Sequence, residues 1–426
     1  MKVAVIDPSL FTIPYDCALC DALVEEGCAV DFYGRPMRPT EMMAGAIPLK
    51  PFFYRMSERL QRILPKAAFR LAKGAEHAAD MLRLRAELAR SRPDAIHFQW
   101  APLPVVDKRL VAMFRRIAPT ILTVHDTTPF NGSPNSQLQA MGALEIFAAF
   151  DHLIVHTEQG RKQLLERGIA PSMVSVIPHG VLALPATAPG AGGAGAPAER
   201  TILLFGKIKP YKGTDLLIEA FAKLPETLRR TTRLRIVGEP FIDLAPLQAR
   251  AAELGIAERV SWELRYVGDD EIGALLSAAD ILAFPYRDID ASGVLMASFP
   301  YGKPIVASAI GAFNELLRDG EHGRLIPPND PEKLAAALGE LLSDPAKAQA
   351  MGERVRAIAA GIPGWDEIAR RTMALYTVLA SAFQARRPDT SASSASSPAR
   401  SWSGEGGHPR IVRSTGRTEE TGPTTA

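Results

Sequence analysis

The sequence predicts an α/β protein with two parallel sheets, one in each half of the chain. Short apolar runs alternate with helix-like stretches from the first residues to about residue 385, the pattern of parallel strands joined by crossover helices. The alternation stops once, in a segment rich in Gly, Pro and Ala at residues 183–199, and then resumes. A chain of 426 residues is also too long for one ordinary core, so we expect two α/β domains.

The predicted strands fall into two series. The first is VAVID, CAVDFYG, AIHFQW, TILTVHD, HLIVHT and VSVIPHG, and the second is TILLFGK, RLRIVGE, VSWELRYV, DILAFPY and PIVAS. The expected division is a first domain at 1–182, a linker at 183–199, a second domain with terminal helices at 200–385, and a disordered tail at 386–426. Open parallel sheets bind ligands at the carboxyl ends of their strands, so the site is expected in a cleft between the two domains.

Composition limits the function classes. Lys plus Arg (49) and Asp plus Glu (47) leave a net charge of +2, which gives no general affinity for nucleic acid. The C-x-x-C pair Cys17 and Cys20 could indicate redox chemistry or half a metal site, but the surrounding apolar spacing favours the buried face of a helix. The start MKVAVIDPS lacks the features of a secretion signal, and no window reaches ~20 apolar residues. We therefore expect a cytoplasmic protein whose membrane contact, if it has any, is peripheral.

Six motifs resemble those of a known family when they are taken together in this order. They are IPHG at 177–180, LLFGKIKPYKG at 203–213, RIVGE at 235–239, YVGDDEIGALLSAADILAFPY at 266–286, GKPIVAS at 302–308 and ELLRDGEHGRLIPPND at 315–330. Their order resembles that of retaining glycosyltransferases of family 4, in a bacterial polysaccharide-type sub-branch. The resemblance covers most of residues 1–385 and implies the GT-B architecture, in which two Rossmann-like domains face a central cleft. Trp365 and Tyr376 resemble the family's last helix, which crosses back to the first domain.

The turn GKIKPYKG is the predicted phosphate site. A nucleotide diphosphate-sugar places growing negative charge on its leaving phosphate, so a site without metal needs fixed cations and N–H groups there. Lys207 and Lys212 lie in this turn, Gly206 permits close backbone approach, and a helix N-terminus follows. In the family these lysine positions grip the diphosphate. The alternative is that both are solvated loop lysines, and Lys209 is expected to be a surface charge.

A second donor segment departs from the family. Ser292, Gly293 and Val294 begin a predicted helix whose N–H groups can contact phosphate. Most family members carry two glutamates here, one facing the donor sugar and one binding ribose, whereas this chain has Ile289 and Ala297. Asp288 or Asp290 is a candidate to replace the first carboxylate, and Glu239 and Glu315 are candidates for a ribose or sugar contact. Tyr266 and Val267 match the place where family members bind the nucleotide base through backbone groups.

In the first domain, His125 ends the strand TILTVHD and matches a family histidine near the donor sugar. The alternative is a structural histidine at a strand end. Asp126 is expected to orient His125 or to bind the acceptor. The acceptor-side candidates are His97 and Gln99, for which buried packing is an equal alternative, together with Tyr15 and Asp16 in the loop after the first strand.

The resemblance implies a retaining hexosyl transfer, in which we expect the departing phosphate to deprotonate the acceptor. No cofactor or metal is expected, because the acidic run at 269–271 is a predicted helix start rather than a metal-binding pair at a strand end. The alternatives are a nucleotide-sugar epimerase or phosphorylase of the same architecture, or an inactive paralogue that binds nucleotide-sugar. The missing glutamates are the reason to consider the paralogue.

Residues 48–74 form a local basic segment in a nearly neutral chain. Its seven basic side chains face one acid, Glu58, and they are Lys50, Arg55, Arg59, Arg62, Lys66, Arg70 and Lys73. An apolar stripe recurs with the same helical spacing at Leu60, Ile63, Leu64, Ala67, Ala68 and Leu71, after the aromatic run 52–54. One interpretation is an interfacial helix on anionic lipid, which would make the acceptor a lipid-linked glycan. The other is a surface helix that packs its stripe onto the first domain. Pro65 is expected to break the helix in either case.

Overall fold

Two parallel sheets organise the computed structural model, which describes residues 1–38, 41, 45–60, 63, 65–128, 143–182 and 199–386. We call the parts built on them the N-terminal half and the C-terminal half. The first sheet has the order β3-β2-β1-β4-β5-β6-β7. Its strands are β1 (Lys2–Asp7), β2 (Ala29–Gly34), β3 (Leu49–Pro51), β4 (Ala95–Phe98), β5 (Thr120–Val124), β6 (His152–Val155) and β7 (Val174–Val176).

The second sheet has the order β10-β9-β8-β11-β12-β13 and is also parallel throughout. Its strands are β8 (Arg200–Phe205), β9 (Thr232–Val237), β10 (Val260–Glu263), β11 (Ile281–Phe284), β12 (Ile305–Ser308) and β13 (Gly323–Ile326). The central strands β11 and β12 are buried along their whole length, which explains their continuous apolar sequences. Both sheets confirm the predicted α/β fold class.

The helices connect the strands and cover the sheets. Those of the N-terminal half are α1 (Ile13–Glu25), α2 (Ser57–Leu60), α3 (Lys66–Ser91), α4 (Pro104–Phe114), α5 (Ala143–Phe147) and α6 (Glu158–Glu166). Those that follow are α7 (Thr214–Ala222), α8 (Glu226–Arg229), α9 (Ala245–Glu253), α10 (Asp269–Ser277), α11 (Gly293–Ser298), α12 (Gly311–Leu316), α13 (Pro331–Ser343), α14 (Pro345–Gly361) and α15 (Trp365–Ala385). The acidic run at 269–271 begins α10, as its position in the sequence predicts.

The last helix, α15, returns to the N-terminal half. Its Tyr376 is buried in the same cluster as Ile368 and the residues of β1 and α1. The Nε1 of Trp365 donates to the carbonyl of Val181 over 2.8 Å, and the Tyr376 hydroxyl lies 2.6 Å from Nδ1 of His97. The predicted crossing helix is therefore confirmed.

Local predictions had mixed outcomes. Cys17 and Cys20 are buried free thiols in the core, as the helical spacing predicts. The aromatic run 52–54, which precedes the predicted interfacial helix, does not lie on the surface as a whole, because Phe53 and Tyr54 pack inside the N-terminal half. The linker predicted at 183–199 and the tail predicted at 386–426 lie outside the described residues, apart from Glu199 and Arg386.

Candidate active site

A cavity of about 1180 Å³ lies between the two halves. It is open at the carboxyl ends of the strands of both sheets, where the sequence predicts the site. Most of the predicted site residues line it: Tyr15, His125, Asp126, Gly206, Lys207, Lys212, Glu239, Tyr266, Val267, Ser292, Gly293 and Val294. Ile289 and Ala297 also line this cavity, so apolar side chains stand where the family resemblance implies two carboxylates.

The turn after β8 needs glycine at two positions. Gly206 has a φ of +112°, and a side chain there would begin 2.9 Å from the Nζ of Lys212. Gly213 has a φ of +67°, and a Cβ there would stand 2.0 Å from the carbonyl oxygen of Pro285. The backbone therefore passes close to Lys212 at Gly206 and close to Pro285, just after β11, at Gly213. This close approach directs Lys212 into the cavity.

Lys212 is the most enclosed cation of the cavity, with 4% of its surface exposed. Its Nζ donates to the hydroxyl of Tyr286 and lies 4.5 Å from the centre of that ring. Burial, followed by the nearby charges of Lys209 and Lys207, lowers the pKa of Lys212 to about 7. An anion that enters the cavity would relieve this repulsion, which suits the position to a phosphate.

Lys207 and Lys209 extend the positive charge toward the N-terminal half. The Nζ of Lys207 lies 4.5 Å and that of Lys209 lies 5.8 Å from the centre of the Phe11 ring. The other partner of Phe11 is Trp100, whose ring is stacked at a centroid distance of 4.6 Å. The expectation that Lys209 is a surface charge is wrong, because it lines the cavity and burial lowers its pKa. No local sequence motif marks Phe11 or Trp100 as part of the cavity.

The loop before α11 is held by its own polar groups and by the N-terminal half. The hydroxyl of Ser292 accepts from the N–H of Leu295 over 3.2 Å and so caps α11. Asp290 accepts from the N–H of Thr127, and Asp288 accepts from the hydroxyl of Thr128 over 2.7 Å.

The two carboxylates of this loop therefore bridge the two halves. Neither Asp288 nor Asp290 lines the cavity. The expectation that one of them replaces a sugar-binding glutamate is corrected accordingly.

Glu315 is a second correction. Its carboxylate accepts from the backbone N–H groups of Glu158 (3.2 Å) and Gln159 (2.7 Å), at the start of α6 in the N-terminal half. A carboxylate at a helix N-terminus offsets the unpaired N–H groups and the positive end of the helix dipole. Glu315 is thus a contact between the halves and not a ribose or sugar ligand, whereas Glu239 does line the cavity.

Three histidines meet on the N-terminal side. His125, His156 and His179 follow β5, β6 and β7, and the parallel register brings them to one edge. The ring of Tyr15 packs against all three at centroid distances of 4.9, 5.1 and 5.0 Å, and against Trp365 at 5.2 Å. Burial, then the neighbouring histidines, hold the pKa of His125 well below its usual range, so these rings are neutral.

Asp126 lies beside this cluster and faces the cavity. Its carboxylate accepts from the N–H of Thr128 over 2.9 Å. Burial, followed by the negative charge of Asp290, raises the pKa of Asp126 to about 6. Asp126 makes no hydrogen bond to His125 among those found in the described chain, so the expectation that it orients the imidazole is unsupported.

Three acceptor-side candidates lie behind the cavity wall. His97 is fully buried and bonded to Tyr376 and, over 2.7 Å, to Thr123. Asp16 is fully buried near Asp7, and burial raises its pKa well above the usual value. Gln99 is also fully buried, so packing is the correct interpretation for His97 and Gln99. The expectation that Asp16 contacts the acceptor is wrong, because its side chain is buried as well.

Lysine and arginine from α3 complete the cavity lining. Arg70 and Lys73 both belong to the basic segment, and both line the cavity from the N-terminal half. Lys73 also lies 4.5 Å from the centre of the Tyr54 ring and pairs with Glu58 at 3.4 Å. Within the described residues there is no group of three or more His, Cys, Asp or Glu side chains placed to hold a metal ion.

Two family models match the chain. Glycosyltransferase Family 4 matches residues 17–182, and Glycosyl transferases group 1 matches residues 194–358. The D-inositol 3-phosphate glycosyltransferase of Kineococcus radiotolerans is 33% identical over 268 residues, which are 57% of this chain and 61% of that relative. The chain thus spans about three fifths of the length of that curated relative.

Solved structures share the fold. HepE of Anabaena, in complex with UDP and glucose, superposes with a TM-score of 0.67 and 19% identity over 89% of this chain and 100% of that chain. Sucrose-phosphate synthase from Thermosynechococcus elongatus superposes with a TM-score of 0.66 and 21% identity, over 90% of this chain and 100% of that chain. At such identities the likeness establishes the fold alone.

Two facing α/β halves with a basic cavity between them define a protein of the glycosyltransferase GT-B class. The two family models match these two halves in turn, over 17–182 and 194–358. The chain belongs to the family 4 glycosyltransferases, as the order of its motifs predicts.

Proposed function

We propose that this protein is a retaining hexosyltransferase that moves a sugar from a nucleotide diphosphate-sugar to an acceptor. The observation that carries the proposal is the enclosed position of Lys212 beside Lys207 and Lys209, at a glycine turn in the cavity between the halves. Positive charge fixed in an enclosed site stabilises a leaving diphosphate more than it stabilises the intact donor.

The transfer needs no enzymic nucleophile. The bond between the sugar C1 and the β-phosphate oxygen breaks, and the acceptor oxygen bonds to C1 on the same face. The acceptor's proton passes to the departing phosphate, whose charge Lys207 and Lys212 stabilise. UDP-sugars are the donors to test first, because a solved protein of the same fold was crystallised with UDP and glucose.

The cations of the cavity take the role that a metal has in other transferases. We therefore expect transfer to continue at full rate when divalent cations are removed with a chelator. The measurement is nucleotide release with and without the chelator, and recovery of a lost rate on adding Mg²⁺ or Mn²⁺ would contradict the expectation.

An acceptor that carries an anionic, lipid-linked group fits the N-terminal side. Arg70 and Lys73 line the cavity and belong to the basic segment at 48–74, so this segment places positive charge beside the proposed site. Such an acceptor would be a polysaccharide intermediate at the inner face of a membrane. A glycan without lipid is the other possible acceptor.

Exposure of the apolar stripe supports contact with a membrane surface. Ile63 and Leu71 are 74% and 79% exposed, and Met56 nearby is 65% exposed. The alternative in which the stripe packs onto the N-terminal half does not hold for these residues. Among the described helices none has the length and apolar character to cross a bilayer.

The decisive test is to incubate the protein with a panel of nucleotide-sugars and to measure nucleotide release. Anomeric configuration of the product, read by NMR, distinguishes retention from inversion. A second candidate is an inactive paralogue that binds nucleotide-sugar, favoured by Ile289 and Ala297 in the cavity wall. That candidate predicts binding by calorimetry with no release for any donor and acceptor in the panel.

A further inference from the structure

A row of polar groups runs from the backbone to the cavity through two of the three histidines. Nδ1 of His156 lies 3.0 Å from the carbonyl oxygen of Ile177. Its other nitrogen, Nε2, lies 3.2 Å from Nδ1 of His125, and Nε2 of His125 lies 3.4 Å from the side-chain amide of Gln99. The carbonyl oxygen of Ile177, at the backbone end of this row, determines where the hydrogens lie.

The carbonyl of Ile177 can only accept, so Nδ1 of His156 must carry a hydrogen. Burial, followed by the neighbouring His179, lowers the pKa of His156 to about 3, and the ring therefore carries a single hydrogen. Its Nε2 is then a bare acceptor. The partner of that acceptor is Nδ1 of His125, which must donate.

The same reasoning leaves Nε2 of His125 without a hydrogen. The side-chain amide nitrogen of Gln99 is buried and has no partner in the part of the chain that the structure describes. Exchanging the amide's oxygen and nitrogen lets that nitrogen donate to the bare Nε2 of His125 and moves the oxygen to the position that has no partner. The opposite arrangement, with a hydrogen on Nε2 of both rings, would charge His156 inside the protein.

We infer that His156 is a positioning residue for transfer, which holds His125 with its hydrogen on Nδ1 and a bare Nε2 beside the cavity. His125 lines the cavity, whereas His156 does not. The contact of 3.4 Å with Gln99 is long for a hydrogen bond, so a substrate hydroxyl that enters the cavity competes for the same lone pair.

His125 therefore accepts a hydrogen bond from a donor hydroxyl and does not protonate the substrate. This role for His125 rests on the proposed transferase function. The assignment of its hydrogen does not, because it follows from contacts within the protein. The two can therefore fail separately in one experiment.

Two variants of the same residue separate the contacts of His156. In His156→Gln the amide oxygen can reach the place of Nε2 and accept from His125. In His156→Asn the shorter amide can still bond to the Ile177 carbonyl but cannot reach His125. The asparagine variant thus removes only the contact that the inference requires, and the glutamine variant is its matched control.

The first readout is ¹⁵N NMR of the histidine side chains in the full chain, with the His125 signals assigned by a His125→Gln variant. We expect a bare Nε2 on His125 in the wild type and in His156→Gln, and a hydrogen on Nε2 in His156→Asn. A hydrogen on Nε2 of His125 in the wild type overturns the inference.

The second readout is kinetic. In His156→Asn we expect kcat to fall about tenfold or more, the effect of one misdirected hydrogen bond. Affinity for UDP alone should stay unchanged, because UDP has no sugar hydroxyl to meet His125, and His156→Gln should recover most of kcat. A hydrogen that moves to Nε2 without loss of kcat overturns the positioning role. A wild type that transfers no sugar sinks the proposed function, while the NMR comparison still decides the hydrogen on His125.

Discussion

At the scale of single residues, Lys212 combines burial, positive charge and a phenol partner in one place. An ammonium group taken out of water is unfavourable unless something compensates it, and the two further lysines of the same turn, Lys207 and Lys209, add repulsion. The donor's diphosphate supplies that compensation, more so as its charge grows during bond breaking. The three lysines of this turn therefore repel one another, and a bound diphosphate would relieve that repulsion.

We expect Lys212→Met to lower turnover at least about 100-fold, or about 2.7 kcal/mol of transition-state stabilisation. The melting temperature should change little, because methionine keeps the volume and removes a charge that burial disfavours. The measurements are steady-state nucleotide release and thermal unfolding. Lys333→Met, an exposed lysine on α13 remote from the cavity lining, is the matched control. Near-normal turnover in a folded Lys212→Met protein would contradict the assignment.

Donor affinity should depend on pH through the same lysine. Burial, followed by the charges of Lys209 and Lys207, lowers the pKa of Lys212 to about 7, so the ammonium form is lost as pH rises through 7. A bound diphosphate favours the charged form and raises this pKa, so the dissociation constant should be flat below pH 7 and rise above it. The slope approaches tenfold per pH unit.

Calorimetry with a nucleotide diphosphate-sugar between pH 6 and 9 measures this dependence. The phosphates of the sugar ester do not titrate in that range, so a change reports on the protein. In Lys212→Met the step that begins near pH 7 should be absent. An identical step in that variant would assign it to another group.

The sequence could predict two of the cavity-lining cations, Lys207 and Lys212, but not every carboxylate. Lys207 and Lys212 are fixed by a short turn whose glycines give it one shape. Asp290 and Glu315 depend on which surface of the N-terminal half they meet, and that contact joins residues 163 and 157 positions apart. The residues next to Asp290 and Glu315 in the sequence do not indicate partners at such a distance.

At the scale of helices and strands, apolar periodicity predicted the long buried strands because they need no distant information. It missed β3 and β13, which have three and four residues with few apolar ones. The helix expected across the basic segment is interrupted as Pro65 predicts, since α2 ends at Leu60 and α3 begins at Lys66.

The basic segment should bind anionic vesicles. We expect the wild type to co-sediment with vesicles that contain phosphatidylglycerol and to be released by salt, since each basic residue near the surface adds roughly 1 kcal/mol. Binding should drop when Arg59, Arg62, Lys66 and Arg70 become Gln, of which Arg62 lies outside the described residues.

An apolar variant separates insertion from charge attraction. Ile63→Ser with Leu71→Ser keeps the charge and removes the two exposed apolar side chains, so binding should weaken with the salt dependence preserved. Val378→Ser, at a residue 66% exposed on α15, is the control. If the wild type co-sediments equally with neutral and anionic vesicles, the basic segment does not recognise anionic lipid.

At the scale of the whole molecule, polar and cation–π contacts join the halves around the cavity, in addition to the packing of α15 onto the N-terminal half. Asp290 and Asp288 accept hydrogen bonds from residues 127 and 128, and Glu315 caps α6. Lys207 reaches across to Phe11. The contacts across the cavity are each of modest energy, so we expect that the cavity can open while α15 stays packed, and that a ligand which touches both halves favours the closed form.

We therefore expect the nucleotide-sugar to shift the protein toward the closed form. The radius of gyration from X-ray scattering should fall on adding donor. In Glu315→Ala with Asp290→Asn it should be larger without donor and approach the wild-type value with saturating donor. Because donor must then also close the molecule, its affinity should fall by the factor by which the closed population falls. Glu321→Ala, at a partly exposed carboxylate that pairs with Arg318 within the C-terminal half, is the matched control. Scattering profiles that coincide with and without donor in both proteins would mean that binding and closure are independent.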